Sequence, residues 1–366
     1  MKVQRLDNKS GKAIFCSVPP MLPGDVLNKI DDVQLNYTIK VESFFPLRWF
    51  LSRYMAGRHS LKESRQVSRK RLALVGSGVG FVDPQARVLF DQMQRYNQAV
   101  DSWKQAFDSR LNIKSLIACN EVIAPEVKKP TRIRDEQNWI GAKTVLEARY
   151  VCPPPDMVAE YLDNFISFIN SEHKNELVAS YVAHCRLLAI HPFWDGNGRS
   201  ARATFDGFLE HKFGSSVNPL LYRMSPKCER NSYLEAMELF DIGSEDAIFH
   251  TFWSESNHWI HDYASYSNEL IVKARQLIIN KIGLKAISQS TQKLLEYLWK
   301  QPVVCFAGLM PLFNKRAQDI QIAITELTQV GILEARRLRE PRNAVIYDCP
   351  IIMNLYHELD NAIAQV

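Results

Sequence analysis

Residues 191–202, HPFWDGNGRSAR, break what is otherwise continuous helical sequence. The stretch before it, ELVASYVAHCRLLAI (176–190), has apolar residues on nearly every side and predicts a helix central to a core. The stretch after it, SARATFDGFLEHKF, is helical again. Pro192 cannot continue the first helix, because it lacks an N–H and clashes with the preceding turn. His191 is thereby left at a helix end, facing a loop. Gly196, Asn197 and Gly198 can each take positive φ, so that successive backbone N–H groups converge into an anion-binding nest.

The second helix is expected to begin near Arg199, its positive dipole end facing the same spot. Arg199 and Arg202, three apart, share a face of its first turn. Loop amides, a helix N-terminus and two arginines make a site for a polyphosphate. Asp195 beside it suits Mg²⁺, which takes one or two carboxylates plus phosphate oxygens. His191 is placed to act as a general base at neutral pH, and Phe193 is the apolar anchor of the loop. Each feature alone has a plainer reading: a helix-end histidine, an Asp-Gly turn, a solvated arginine face. Their co-occurrence within twelve residues favours the site. A transition-metal hydrolase fits less well. His184 and His191 lie seven apart, but Pro192 disturbs the spacing from His191 to Asp195, and no HExxH or CxxC supplies further ligands.

The remainder of the chain reads as mainly α. PLRWFLSRYMAG (46–57) predicts a helix ending at Gly57. LALVGSGVG (72–80) has the start of a dinucleotide fingerprint, but Phe81 stands at the third glycine, and a flexible turn is expected instead. Asp83 and Pro84 open a long helix as N-cap and N1. RIRDEQNWIGAKTVLEARYVCPPPD (132–156) predicts a short hairpin or flap around Gly141. The last segment gives three helices and a β-ribbon, the order of a winged helix-turn-helix. The expected domains are a helical region at 1–110, a catalytic core at 111–284 and a winged-helix domain at 285–366.

The motif resembles that of the Fic family, H-P-F-x-[D/E]-G-N-G-R-x-x-R, at every defined position. RDEQNWIG and YVCPPPD are similar to the family's segment before the core, ERNSYLEAM to the helix after it, and a C-terminal winged helix occurs in one bacterial group of the family. The resemblance implies a helical Fic core with a β-hairpin flap within residues 139–152. It also implies transfer of AMP from ATP to a Ser, Thr or Tyr hydroxyl of a protein. By that resemblance His191 deprotonates the target hydroxyl, and Asp195 holds Mg²⁺ on the α- and β-phosphates. Gly196, Asn197 and Gly198 cradle phosphates, Arg199 and Arg202 take the distal ones, and Asn231 and Tyr233 lie near the adenine. Many relatives also carry an inhibitory [S/T]-x-x-x-E-[G/N] motif. Ser52 and Gly57 match it, but Ala56 stands where its glutamate belongs, and Glu63 follows nearby.

The expected protein is therefore a nucleotidyltransferase, with ATP and Mg²⁺ as cofactors and a hydroxyl-bearing protein as partner. Self-modification and a homodimer stay open, as do removal of AMP and transfer of another nucleotide or phosphate group. A different class is a DNA-binding regulator working through the winged helix, with Lys315, Arg316, Gln318 and Gln321 on or near its recognition helix. Seven cysteines without a CxxC pair fit reduced thiols in a cytoplasm. No apolar run approaches a membrane span, and a net charge of +5 is too mild to demand nucleic acid.

Overall fold

The computed structural model describes residues 2–7, 10–18, 37, 39, 41–57, 66–129, 131–173, 175–214, 217–228, 232–233, 235–236, 252–341 and 344–366. The protein is mainly helical with few, short strands. The chain begins with β1 (Lys2–Leu6), β2 (Ala13–Ser17), α1 (Leu47–Met55), α2 (Arg69–Gly76), α3 (Pro84–Asp108) and α4 (Ile113–Ile123). Next come β3 (Trp139–Ile140), β4 (Tyr150–Val151), α5 (Val158–Ile169), α6 (Glu176–Ile190), α7 (Asn197–Phe213) and α8 (Ser254–Ile282). The last are α9 (Gln289–Leu298), β5 (Val303–Val304), α10 (Phe306–Leu309), α11 (Ala317–Gln329), β6 (Glu334–Arg337), β7 (Val345–Asp348) and α12 (Pro350–Gln365).

These elements form two compact units, and neither is a single run of sequence. One comprises residues 1–38 and 95–260, the other 39–94 and 261–366. The division differs from the three consecutive stretches expected above. Its boundaries fall inside α3 and α8, two long helices that each begin in one unit and end in the other.

In the first unit, α6 packs against α5 and α7, and α4 packs on both of these. All but two of the residues of α6 are buried, as its unbroken apolar character requires. Asn175 caps its first turn by accepting from the Val178 N–H. Gly207 of α7 lies against Trp103, where a Cβ would come within 2.6 Å of the indole's own Cβ. The expected flap is the antiparallel pair β3–β4, with Trp139 opposite Val151 and Ile140 opposite Tyr150. Gly141 turns it at φ +92. A second hairpin, β1–β2, which the sequence did not signal, packs Ile14 and Cys16 on Val145 with Trp139 and Val151 alongside.

In the second unit, α2 packs on β5 and α12 on α2. Residues 69–76 are thus helical, capped by Ser68, and the expected turn is confined to the residues after them. Asp83 caps α3 as expected, accepting from the Ala86 N–H, and also pairs with Arg71. Strands β5, β7 and β6 form an antiparallel sheet in that order. Ala73, Leu74, Val303, Cys305 and Ile346 share one apolar core. Asp360 of α12 joins Arg53 and Arg69, each at 2.8 Å, and accepts from the Tyr54 hydroxyl. Helix α12 comes in addition to the three helices expected in this segment; Pro350 at its start and the spacing of Ile352, Leu355, Tyr356, Leu359 and Ile363 account for it. Ala56 is buried in this unit, and the Ser52 hydroxyl donates to the Trp49 carbonyl. Glu63 lies outside the described residues.

Candidate active site

The break between α6 and α7 is held open by backbone geometry. His191 ends α6 in the left-handed region at φ 51, ψ 55, with its N–H donating to the Leu187 carbonyl. Such a conformation is uncommon outside glycine. Pro192 and the buried Phe193 then carry the chain away from the helix axis. The Asn197 side chain clamps this loop. Its Oδ1 accepts from the Phe193 N–H and its Nδ2 donates to the Phe193 carbonyl, both at 2.8 Å. Helix α7 starts at Asn197, two residues before the expected Arg199, with Gly196 as its left-handed cap at φ 81. A Cβ at Gly196 would lie 3.0 Å from both Ala124 and Asn120. Of the three residues expected to take positive φ only Gly196 does; Asn197 and Gly198 are already in the first turn of α7, so the helix N-terminus itself, and not a nest, offers the amides an anion would meet.

The imidazole of His191 is partly buried. Its Nδ1 lies 3.3 Å from the Leu188 carbonyl, which makes Nδ1 the protonated nitrogen and leaves Nε2 as the acceptor. Burial holds the ring well below the usual histidine range, at about 4, and nearby Arg134 adds to this. The ring is therefore neutral at pH 7. Asp195, 31% exposed, accepts from the Gly196 N–H at 2.5 Å and stands 3.6 Å from the Arg199 guanidinium. Among the described residues no group of three or more His, Cys, Asp or Glu could hold a metal ion. One carboxylate beside a helix N-terminus fits Mg²⁺, which draws its other ligands from phosphate and water, and does not fit a closed protein cage.

The two arginines diverge. Arg199 is buried, donating to the Ile123 carbonyl at 2.8 Å and approaching Glu126 at 3.5 Å. It ties α7 to the end of α4 and is occupied there. Arg202 is partly buried. Burial lowers its guanidinium to about 10, with Tyr96 and Tyr233 opposing and Arg223 and Arg199 reinforcing the shift. Tyr233 is also reached by His184, whose Nε2 lies 3.0 Å from the Tyr233 hydroxyl, and by Arg223, whose guanidinium lies 3.9 Å over the ring. Burial drives His184 down to about 3. Gly198 is in the first turn, where a Cβ would lie 3.3 Å from the Arg202 guanidinium. His191, Asp195, Gly196, Asn197 and Gly198 thus meet at one helix end, and Arg202 meets Tyr233 and Arg223 beyond it. Asn231 lies outside the described residues.

Sequence reasoning missed Arg134, which is 2% exposed. Its guanidinium donates to the carbonyls of Glu136, Pro153, Ile190 and His191. Its own N–H donates to the Pro192 carbonyl. One side chain thereby caps the last carbonyls of α6 and fastens the loop to the flap's flank. The Tyr150 hydroxyl of β4 adds a bond to the Ala189 carbonyl, and Asn120 of α4 holds the Asp195 carbonyl and the Ser200 hydroxyl.

Residues 110–209, which contain this whole break, match the profile of the Fic/DOC family. This segment of the chain is therefore similar to the Fic/DOC family. Among curated proteins, the protein adenylyltransferase Fic of Drosophila yakuba is 27% identical over 190 residues, covering 50% of this chain and 34% of that protein. The Drosophila melanogaster protein of the same name is 26% identical over 190 residues, 50% of this chain and 35% of its own. The chain spans about a third of the length of these relatives. A solved Fic domain containing signaling protein from Bacteroides thetaiotaomicron aligns with 68% of this chain and 95% of its own, at 17% identity and a TM-score of 0.42. A Fic family protein from Desulfovibrio desulfuricans G20 aligns with 86% of this chain and 98% of its own, at 14% identity and a TM-score of 0.37. The matched residues include α6, the loop and most of α7, and leave the whole of the second unit outside the match. No helix among the described residues is long and apolar enough to cross a membrane.

Proposed function

We propose that this protein is a protein adenylyltransferase of the Fic kind, moving AMP from ATP to a side-chain hydroxyl of a protein. The observation that carries the reading is the orientation of His191. Its Nδ1 is engaged by the Leu188 carbonyl, which leaves Nε2 as the basic nitrogen, and the N-terminus of α7 follows within the same short loop. In the reaction the target oxygen bonds to the α-phosphorus, the bond to the β-phosphate bridging oxygen breaks, and pyrophosphate leaves. The hydroxyl proton passes to His191 Nε2. The amides of α7 receive phosphate oxygens, and Arg202 takes the distal phosphates. Arg199 serves by fixing α7 on α4, a task different from the phosphate contact that its spacing from Arg202 implies. Asp195 would hold Mg²⁺, which supplies charge neutralisation on the phosphates when bound. The polyphosphate's negative charge also raises the His191 pKa towards neutrality, making the ring a stronger base when ATP is present.

The names of the adenylyltransferase relatives and the Fic match support this assignment, and the flap beside Tyr150 is where a target segment would lie. Incubation with labelled ATP and Mg²⁺, followed by intact mass of the protein and of lysate partners, tests it. The expected gain is one AMP. Transfer of a bare phosphate, or no covalent gain with any nucleoside triphosphate, overturns it. Arg202→Ala is expected to weaken ATP binding more than AMP binding, since only ATP has distal phosphates.

A further inference from the structure

The segment after α8 plays no part in the chemistry above, yet its surface is unusual. Helix α11 packs its buried Ile320, Ala323, Ile324 and Leu327 inward, with α9 and α10 as neighbours. Its exposed residues are Ala317, Gln318, Gln321, Ile322, Thr325, Thr328 and Gln329, and none of them is charged. A helix face that only meets water ordinarily carries lysine and glutamate. Here it carries amides, hydroxyls and an isoleucine that is 37% exposed. The one carboxylate in the middle of α11, Glu326, is turned to the start of α9. It accepts from the Ser288 N–H and from the hydroxyls of Ser288 and Thr291, the last at 2.6 Å.

Cations sit at the margins. The turn from α10 to α11 is made by Asn314 and Lys315, both left-handed at φ 50 and 63. The Lys315 N–H donates to the Met310 carbonyl and the Arg316 N–H to the Phe313 carbonyl. Lys315 and Arg316 are thereby fixed, exposed, at the entrance to α11, with Arg316 75% exposed and only a 3.9 Å approach to Asp319. The β6–β7 ribbon adds exposed Arg337 and Arg339, whereas Arg336 is spent on Asp348 at 2.8 Å. The element order is helix, strand, helix, helix, strand, strand, closed by the antiparallel sheet β5–β7–β6.

We propose that residues 289–348 form a winged helix-turn-helix module that reads double-stranded DNA, with α11 in the major groove. Gln318, Gln321, Ile322 and Thr325 lie within two turns of one helix face and meet base edges. Glutamine offers paired donor and acceptor to adenine, and isoleucine packs on a thymine methyl. Lys315 and Arg316 at the helix entrance, and Arg337 and Arg339 on the ribbon, meet phosphates. A protein partner or a second copy of this chain would be served by an apolar face, and Ile322 is the only large apolar residue among those exposed on α11. The neutral, hydrogen-bonding strip with cationic ends matches the chemistry of a duplex groove between its two phosphate rows.

The test uses the full chain and a random-sequence duplex library about two to three helical turns long. Repeated selection is expected to enrich a defined sequence. Affinity for it should fall steeply with salt, the log–log slope near −4 for four phosphate contacts. Lys315→Ala with Arg316→Ala should make the slope shallower by about two, and should weaken random and selected duplexes alike. Gln321→Ala should cost roughly tenfold on the selected duplex while leaving random-duplex binding unchanged. Unaltered melting and ATP labelling in these surface variants show that the fold is intact. Failure to enrich any sequence, or a salt slope that the double variant leaves unchanged, overturns the proposal. So does light scattering that reveals a dimer dispersed by Ile322→Asp in a chain that retains no duplex.

Discussion

His191, the base proposed above, shows how little of a residue's chemistry lies in its identity. What suits it to that role is a left-handed backbone, a carbonyl one turn back that fixes the tautomer, and burial that keeps the ring neutral. His191→Ala is expected to slow AMP transfer by roughly 10²–10⁴-fold, the range of a general base, with ATP binding retained. Labelling near the wild-type rate would remove the assignment. The same burial has a cost in acid. His191 and His184 titrate in the fold at about 4 and about 3, below the ordinary histidine value of 6.5. Between pH 6.5 and about 4 the unfolded chain takes up protons that the folded chain refuses, so stability falls as pH drops through that window and is flat above it. Thermal melts across pH 7 to 4 should show the loss, on the order of several kcal/mol for the two rings together. His184→Phe should flatten part of it, and an unchanged pH profile in that variant would show that His184 does not contribute. The motif's residue types were legible at this scale. The partners of its arginines were not: spacing puts Arg199 and Arg202 on one face of a helix, but only the position of α4 decides that Arg199 donates to the Ile123 carbonyl.

At the scale of elements, the sequence carried the break itself. Pro192 and Gly196 are local stop and start signals, and α6 begins and ends at the residues its apolar pattern marks. The flap was equally legible around Gly141. The hairpin β1–β2 was not, because its strands are short, β1 exposes nearly every residue, and β2, although its positions alternate between exposed and buried, is apolar at both kinds, so no alternation of residue type betrays it. Nor was Arg134, although it stands in the segment that resembles the family. An arginine among RIRD reads as surface until its four carbonyl partners, from residues 136 to 191, are assembled around it. Arg134→Ala strands those carbonyls and is expected to destabilise the first unit by about 2–4 kcal/mol. Arg134→Lys should recover only part of this, because an ammonium cannot reproduce the planar fork. If Arg134 positions the loop, Arg134→Lys should also lower kcat roughly tenfold with little change in KM for ATP, since a small misplacement of His191 affects the reacting geometry more than nucleotide binding. A variant with lowered melting temperature and unchanged kcat would confine Arg134 to stability.

At the scale of the whole molecule, what the sequence could not supply is which distant segments share a core. The expected boundary at residue 284 falls where α8 ends and α9 has yet to begin, a natural place for a linker. Yet residues 39–94 belong to the same compact unit as residues 261–366. Ala73 and Leu74 of α2 have Val303, Cys305 and Ile346 as core partners, and the Gln301 side chain donates to the Ala73 carbonyl. Arg53 and Arg69 are nearly buried and share the single carboxylate of Asp360. A fragment of residues 1–284 would therefore expose the apolar face of α2 and leave two buried guanidinium groups with no carboxylate from α12. Removing one partner of a buried pair costs about 3–5 kcal/mol, and lost apolar burial adds to it. That sum is comparable with the total stability of an ordinary domain. The expected outcome is that the 1–284 fragment aggregates or melts without a cooperative transition, whereas a truly consecutive domain would melt as a unit. Differential scanning calorimetry of the fragment beside the full chain distinguishes them. The point variant Asp360→Asn, which keeps the shape but removes the charge, should lower the stability of the full chain in the same direction. A fragment that melts cooperatively at the full chain's temperature would show that residues 39–94 fold without the C-terminal segment.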